Sequence, residues 1–198
     1  MAANANALVS PAQYLKAERS AEIKSEYHDG QIFAMSGASL AHSVIPAALI
    51  AALIAALRDR DCTVVTTDLR VQIGRQSSFV YPDVTVFCGE PQLADEHNDT
   101  LQNPTVVVEV LSKSTEGYDR GYKFGKYRRI ESLRDYVLVS QTEPKIEVFS
   151  RTDSGQWLFT EFAGTDAICV LPGIGCNIAL ADVYRRVRFP QDQTQASA

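Results

Sequence analysis

Two carboxylates carry the first suggestion of chemistry. Asp83 follows Tyr81-Pro82, and Glu109 is set into the apolar run Thr105-Val106-Val107-Val108-Glu109-Val110-Leu111. A strand apolar on both faces belongs in the middle of a sheet. A carboxylate buried there needs a cation or several donors to meet it. Read as one strand from Phe79 to Cys88, alternation puts Phe79, Tyr81, Asp83, Thr85 and Phe87 on one face, and the same logic groups Val107, Glu109 and Leu111. If the two strands are neighbours, Asp83 and Glu109 converge. Carboxylates held that close repel unless one is protonated or a cation sits between them. A hard divalent ion such as Mg²⁺ takes oxygen ligands and suits hydrolysis of a phosphate ester, where it offsets charge on the attacked group. The plainer alternative makes Asp83 a strand-end residue after Pro82 and pairs Glu109 with a lysine.

Such a site also needs a cation near the attacking water, and Lys123 is the best candidate. On a helix, Asp119, Lys123, Lys126, Tyr127 and Ile130 share a face, although Asp119 and Lys123 alone are equally an ordinary i,i+4 surface pair. Gly117, Gly121 and Gly125 form a neighbouring stripe. Each weakens the helix, and together they suggest close approach of the sheet, the simpler answer, or of a phosphate backbone. Arg120, Lys123, Lys126, Arg128, Arg129 and Arg134 fall in one segment, with a second cluster at Arg185, Arg186 and Arg188. They are either a surface for phosphates or solvated faces.

These residues need elements to hold them. Pro11 to Arg19 reads as a short helix with proline at its start, and Lys24 to Met35 as a hairpin turning at Asp29-Gly30. Ser39 caps a helix from Leu40 to Asp59, whose broad apolar coverage predicts packing on more than one side. Strands follow at Thr63 to Ile73 and Phe79 to Cys88, then a polar surface loop at 89–103 beside the candidate site. Next come the central strand 104–111 and a helix from about Thr115 to Glu131. Arg134 to Ser140, Lys145 to Arg151, Gln156 to Phe162 and Ala167 to Leu171 are further strands, ended by Pro172-Gly173, with a last helical turn at Leu180 to Val183. Residues 1–9 are expected to be a flexible tail, 10–189 one domain, and 190–198 a disordered tail. The fold class is α/β (α+β) around one mixed sheet.

Three groups of residues together resemble the PD-(D/E)XK phosphodiesterase superfamily, and more narrowly its restriction-endonuclease branch known as the Uma-two family. They are Tyr81-Pro82-Asp83-Val84, Val108-Glu109-Val110-Leu111-Ser112 and Asp119-x-x-x-Lys123-x-x-x-Tyr127. Glu26-Tyr27-His28-Asp29-Gly30-Gln31-Ile32, Met35-Ser36-Gly37, His42 and Tyr136-Val137-Leu138-Val139 match the same branch. The resemblance spans Pro11 to Tyr184 and implies a restriction-endonuclease-like αβββαβ core with a mixed central sheet and extra C-terminal strands. It also implies that Asp83, Glu109 and the Val110 carbonyl hold Mg²⁺ or Mn²⁺, with Glu26 as an additional carboxylate. The superfamily lysine normally stands two residues after the glutamate, where this chain has Leu111. That departure moves the role onto the next helix, to Lys123 with Lys126 as fallback; Lys113 is a further candidate whose strand parity opposes that of Glu109. His42 would donate to a phosphate or cap and pack, with structure the weightier reading. Asp68 is expected to pair with Arg70 or a neighbour.

The resulting expectation is a metal-dependent endonuclease acting on nucleic acid, DNA first, with Asp83, Glu109, Lys123 and Glu26 catalytic. His42, Arg120, Lys126 and Tyr127 would meet substrate, and a homodimer would serve to cut both strands. A catalytically silent module that binds nucleic acid or a protein is the alternative, and a β-rich domain binding a small molecule is a third. The net charge of −5 argues mildly against a general nucleic-acid coat but not against an enzyme with a local basic patch. No apolar run reaches the roughly 18 residues of a membrane span, and MAANANALVS lacks the parts of a secretory signal. Cys62, Cys88, Cys169 and Cys176 lie far apart without a C-x-x-C, so structural zinc is not expected and a reducing cytoplasm is.

Overall fold

The computed structural model describes residues 8–75 and 78–189. The expected tails lie outside them except for Leu8 and Val9, and Val9 is tied down. Its N–H donates to the Gly30 carbonyl at 2.9 Å, and its carbonyl accepts from the Tyr27 hydroxyl at 2.9 Å.

Helix α1 (Pro11–Glu18) opens with a reciprocal cap. The Ser10 hydroxyl accepts from the Gln13 N–H at 3.3 Å, and Gln13 Oε1 accepts from the Ser10 N–H at 2.9 Å. Strands β1 (Ser25–His28) and β2 (Gln31–Ala34) form the hairpin. Asp29 and Gly30 turn it at φ 48° and 93°, the left-handed pair that matches strand twist. Helix α2 (Leu40–Ala56) starts at Ser39, whose hydroxyl accepts from the His42 N–H at 3.1 Å. Its burial is narrower than its composition suggests. Ile45, Leu49 and Leu53 are buried in one stripe, whereas Leu40 and Ile54 are 82% and 56% exposed, so α2 packs on one side only.

The two long strands expected after α2 are each split between sheets. The first becomes β3 (Cys62–Thr66) and β4 (Arg70–Ile73), and the second β5 (Ser78–Val80) and β6 (Val84–Cys88). Pro82 cannot donate to a ladder, and the chain breaks at Tyr81-Pro82-Asp83. Sequence reading also missed β7 (Thr100–Leu101), a two-residue strand parallel to β4. The central strand is β8 (Val106–Leu111), followed by α3 (Glu116–Tyr118), a π-helical turn at Asp119–Lys123, and α4 (Phe124–Tyr127). Then come β9 (Asp135–Ser140), β10 (Lys145–Arg151), β11 (Trp157–Ala163) and β12 (Ile168–Leu171). Strand β13 (Cys176–Ala179), also missed, and α5 (Leu180–Tyr184) complete the order.

One sheet runs β11-β10-β9-β8-β6-β3, antiparallel except for the parallel β8–β9 pair. A second runs β2-β1-β5-β4-β7, and β12 pairs with β13. The αβββαβ core is present in the first sheet as α2, β3, β6, β8, the helical crossover and β9. Strands β4 and β5 are an excursion into the second sheet. Strand β8 is buried throughout. Val106, Val108 and Val110 cluster with Ile45, Leu49 and Leu53 of α2, while Val107 and Leu111 cluster with Tyr127, Leu133 and Tyr136. Leu53→Ala is expected to cost about 2–5 kcal/mol, read as a lower melting temperature by circular dichroism.

The β3–β6 register sets Cys62 opposite Cys88, and the two form a disulfide, which the expectation of a reducing compartment did not foresee. The loop 89–103 is not at the candidate site. Arg19 holds Asp95 at 2.6 Å and Asp99 at 2.8 Å, Arg70 also pairs with Asp99, and no loop residue lines the cavity described next. Asp68 pairs with Lys24 rather than Arg70. A Cβ placed on Gly117, Gly121 or Gly125 would meet nothing within 4 Å, so the glycine stripe touches no sheet. No helix among the described residues is long and apolar enough to cross a membrane.

Candidate functional site

The split strands make a seam between the two sheets, and the candidate residues gather there. Glu26 comes from β1, Asp83 from the break between β5 and β6, Glu109 from β8, His42 from the first turn of α2, and Asp119 and Lys123 from the π-helical turn. All six line one cavity of about 340 Å³. Asp83 reaches it through the bend at Pro82, not through the strand alternation that first suggested its position.

Asp83 is fixed at both oxygens. Oδ2 accepts from the Val110 N–H at 2.7 Å, and Oδ1 lies 3.0 Å from His42 Nε2. Glu109 Oε1 accepts from the Tyr127 hydroxyl at 2.9 Å and from Lys123 Nζ at 3.1 Å. The same ammonium lies 3.0 Å from Glu26 and 3.7 Å from Asp119. Glu26 also accepts from the Tyr81 N–H at 3.3 Å. The turn carrying Lys123 departs from α geometry where three glycines reduce helix propensity. The Tyr136 hydroxyl donates to its Asp119 carbonyl at 3.0 Å.

Charge in this cavity is unbalanced. Four carboxylates face the Lys123 ammonium and His42. Burial alone would lower the Lys123 pKa, but Glu109, Glu26 and Asp119 together hold it well above its ordinary range. Burial would raise Glu26, yet Lys123 and His28 bring it down to about 2. For Glu109 burial wins. Lys123 only partly offsets it, and Asp119, Asp83 and Glu26 push the same way, so its pKa lies well above 4.5. Asp119 is also raised, chiefly by burial. The contact with Asp83 raises His42 above 6.5.

Because the fold raises the Glu109 pKa, the folded chain holds a proton that the unfolded chain releases, and stability is lost as pH rises above about 4.5. Without divalent cations, Glu109→Gln is therefore expected to melt above the parent at pH 7–8, by about 2–4 °C for each kcal/mol relieved. The gap should close as pH falls toward 4.5. A scanning-fluorimetry series across that range measures it, and a variant that melts lower at pH 8 would contradict it.

Three residues expected to meet substrate stand elsewhere. Tyr127 is fully buried and can act on substrate only by positioning Glu109. Lys126 is engaged by Asp29, and Arg120 by Glu147 and Glu116. Much of the basic segment is thus neutralised internally. Conversely, Asp119 is buried in the cluster rather than on a surface, and Tyr118 lines the cavity while its hydroxyl contacts His28 Nε2 at 2.8 Å. Alternation along β1 puts His28 on the same face as Glu26, but nothing in the sequence pointed to Tyr118.

The donor set suits a hard divalent cation: it consists of carboxylate oxygens, and the cavity is short of positive charge. No group of three or more His, Cys, Asp or Glu side chains is gathered into a metal cage among the described residues. Asp83, Glu109 and Val110, the set that the family resemblance implies, all line the cavity.

Comparison with known proteins agrees with this architecture. Residues 11–181 match the Uma2 family, described as "Putative restriction endonuclease". The "Uncharacterized protein slr1290" of Synechocystis sp. is 39% identical over 181 residues, covering 91% of this chain and 94% of the relative. A second Synechocystis protein, "Uncharacterized protein sll1609", is 36% identical over 160 residues, covering 81% and 90%. The crystal structure of "a putative nuclease belonging to DUF820" from Anabaena variabilis superposes with a TM-score of 0.73 at 18% identity. That match covers 91% of this chain and 99% of that one, and it fixes the fold.

Proposed function

The chain belongs to the Uma2 family of "putative restriction endonucleases", and from that membership we propose that it hydrolyses phosphodiester bonds of nucleic acid, DNA first, with a divalent cation. The observation that carries the reading is the meeting of Asp83, at the break between β5 and β6, and Glu109 of β8 in one cavity beside the Lys123 ammonium. Asp83, Glu109 and the Val110 carbonyl would hold Mg²⁺ or Mn²⁺, which would supply Lewis acidity toward the phosphate. The protein's own groups do the rest. Lys123, held by Glu26 and Glu109, orients the attacking water and offsets charge developing on the phosphate. Tyr127 fixes the rotamer of Glu109, and the Val110 N–H fixes that of Asp83. His42, whose Nε2 contacts Asp83, lines the cavity and would serve substrate by holding Asp83 in place.

A thermal-shift titration tests the metal requirement before any substrate is chosen. Mg²⁺ or Mn²⁺ should stabilise the fold, by about 2.7 kcal/mol at one hundred times the dissociation constant, read as a rise in melting temperature. Asp83→Asn should abolish the rise. If the parent shows no shift and no cleavage, the silent binding module replaces this reading.

A further inference from the structure

A polyanionic substrate brings more than one phosphate, and the cations around this cavity are already committed. Lys123 serves Glu26, Glu109 and Asp119. A second recess of about 220 Å³ adjoins the cavity, and the two share Ser112 and Gln141 as a common wall. Three cations line this recess. Arg120 is bound by Glu116 and Glu147, and Lys145 by Glu143. Lys113 is exposed and has no carboxylate within ion-pair distance among the described residues. Beside it stands a group of hydroxyls. Ser112 Oγ lies 3.1 Å from Ser114 Oγ and 2.8 Å from Thr115 Oγ1, and all three residues line the main cavity. Gln141 braces the wall, its Nε2 donating to the Leu111 carbonyl at 2.8 Å and its Oε1 accepting from Ser39 Oγ at 2.6 Å.

We propose that Lys113, with the Ser112 hydroxyl on the wall shared with the main cavity, forms a phosphate-binding subsite that seats the phosphate next to the one being cleaved. The proposal rests on the nuclease reading and refines it: the preferred substrate carries at least two consecutive phosphodiesters. An ammonium with a hydroxyl donor on one side is the chemistry phosphate oxygens require. The recess adjoins the cavity where Asp83 and Glu109 stand, and a strand that crosses Ser112, which lines both, would reach both.

The test compares two diesters in the presence of Mn²⁺: a fluorescent single-stranded oligonucleotide and bis(4-nitrophenyl) phosphate, which has no flanking phosphate. For Lys113→Ala, KM for the oligonucleotide should rise about ten-fold relative to KM for the small diester, with kcat little altered. The salt dependence of the oligonucleotide KM should flatten by roughly one contact. Lys113→Arg should restore both, and Lys113→Glu should deepen the loss. Equal losses on the two substrates, or none on either, would overturn the subsite and leave the nuclease reading intact. A parent that cleaves neither substrate with Mg²⁺ or Mn²⁺ sinks the nuclease reading, and the subsite with it.

Discussion

Asp83→Asn combined with Glu109→Gln will abolish Mg²⁺-dependent plasmid nicking while leaving a folded protein. Each substitution keeps the shape of its side chain. The carbonyl oxygen of the new asparagine can still accept from the Val110 N–H, and that of the new glutamine can still accept from Tyr127 and Lys123. What disappears is the anionic charge that holds a divalent ion. The ion's contribution to charge stabilisation is several kcal/mol, so each single variant should lose on the order of 10³-fold in rate. Nicking assays in Mg²⁺ and Mn²⁺, with circular dichroism as the folding control, decide it. Undiminished nicking in the double variant would remove Asp83 and Glu109 from the chemistry.

Lys123→Met is expected to do more to the fold than any substitution at the carboxylates. Its ammonium is the common partner of Glu26, Glu109 and Asp119, all buried. Removing one partner of a buried ionic cluster costs about 3–5 kcal/mol, or about 6–20 °C in a domain of this size. The pH dependence identifies the cause. Glu26 has its pKa depressed to about 2 in the fold, so its share of the stability is fully present above about 4.5 and fades as pH falls toward 2. The deficit of Lys123→Met should therefore be largest near neutrality and shrink in acid. A deficit that does not vary from pH 7 to pH 3 would mean that lost packing, not charge, is responsible.

Local signals in the sequence served well and long-range ones did not. The Asp29-Gly30 turn, the Ser39 cap and the central strand around Glu109 each depend on a few neighbouring residues, and they stand where sequence places them. Lys123 shares a cavity with Glu109 because the β8 crossover is short. Splitting Phe79 to Cys88 into β5 and β6 depends on which sheet each half joins, and nothing but Pro82 hints at it. The disulfide depends on the β3–β6 register, which distant cysteines do not advertise. The basic segment misled for the same reason. Arg120 is answered by Glu147, 27 residues away, and Lys126 by Asp29, 97 residues away.

The π-helical turn at Asp119–Lys123 acts as a one-residue insertion in an otherwise regular helix. Its wider winding absorbs the extra residue, and beyond it Lys123 and Tyr127, four residues apart on one face, both address Glu109. Deleting Gly125, which lies between them, would rotate Tyr127 by about 100° relative to Lys123 about the helix axis. In this protein, then, the helix is tuned by length as much as by side-chain identity. A shortened chain would keep nearly every chemical group and lose their alignment.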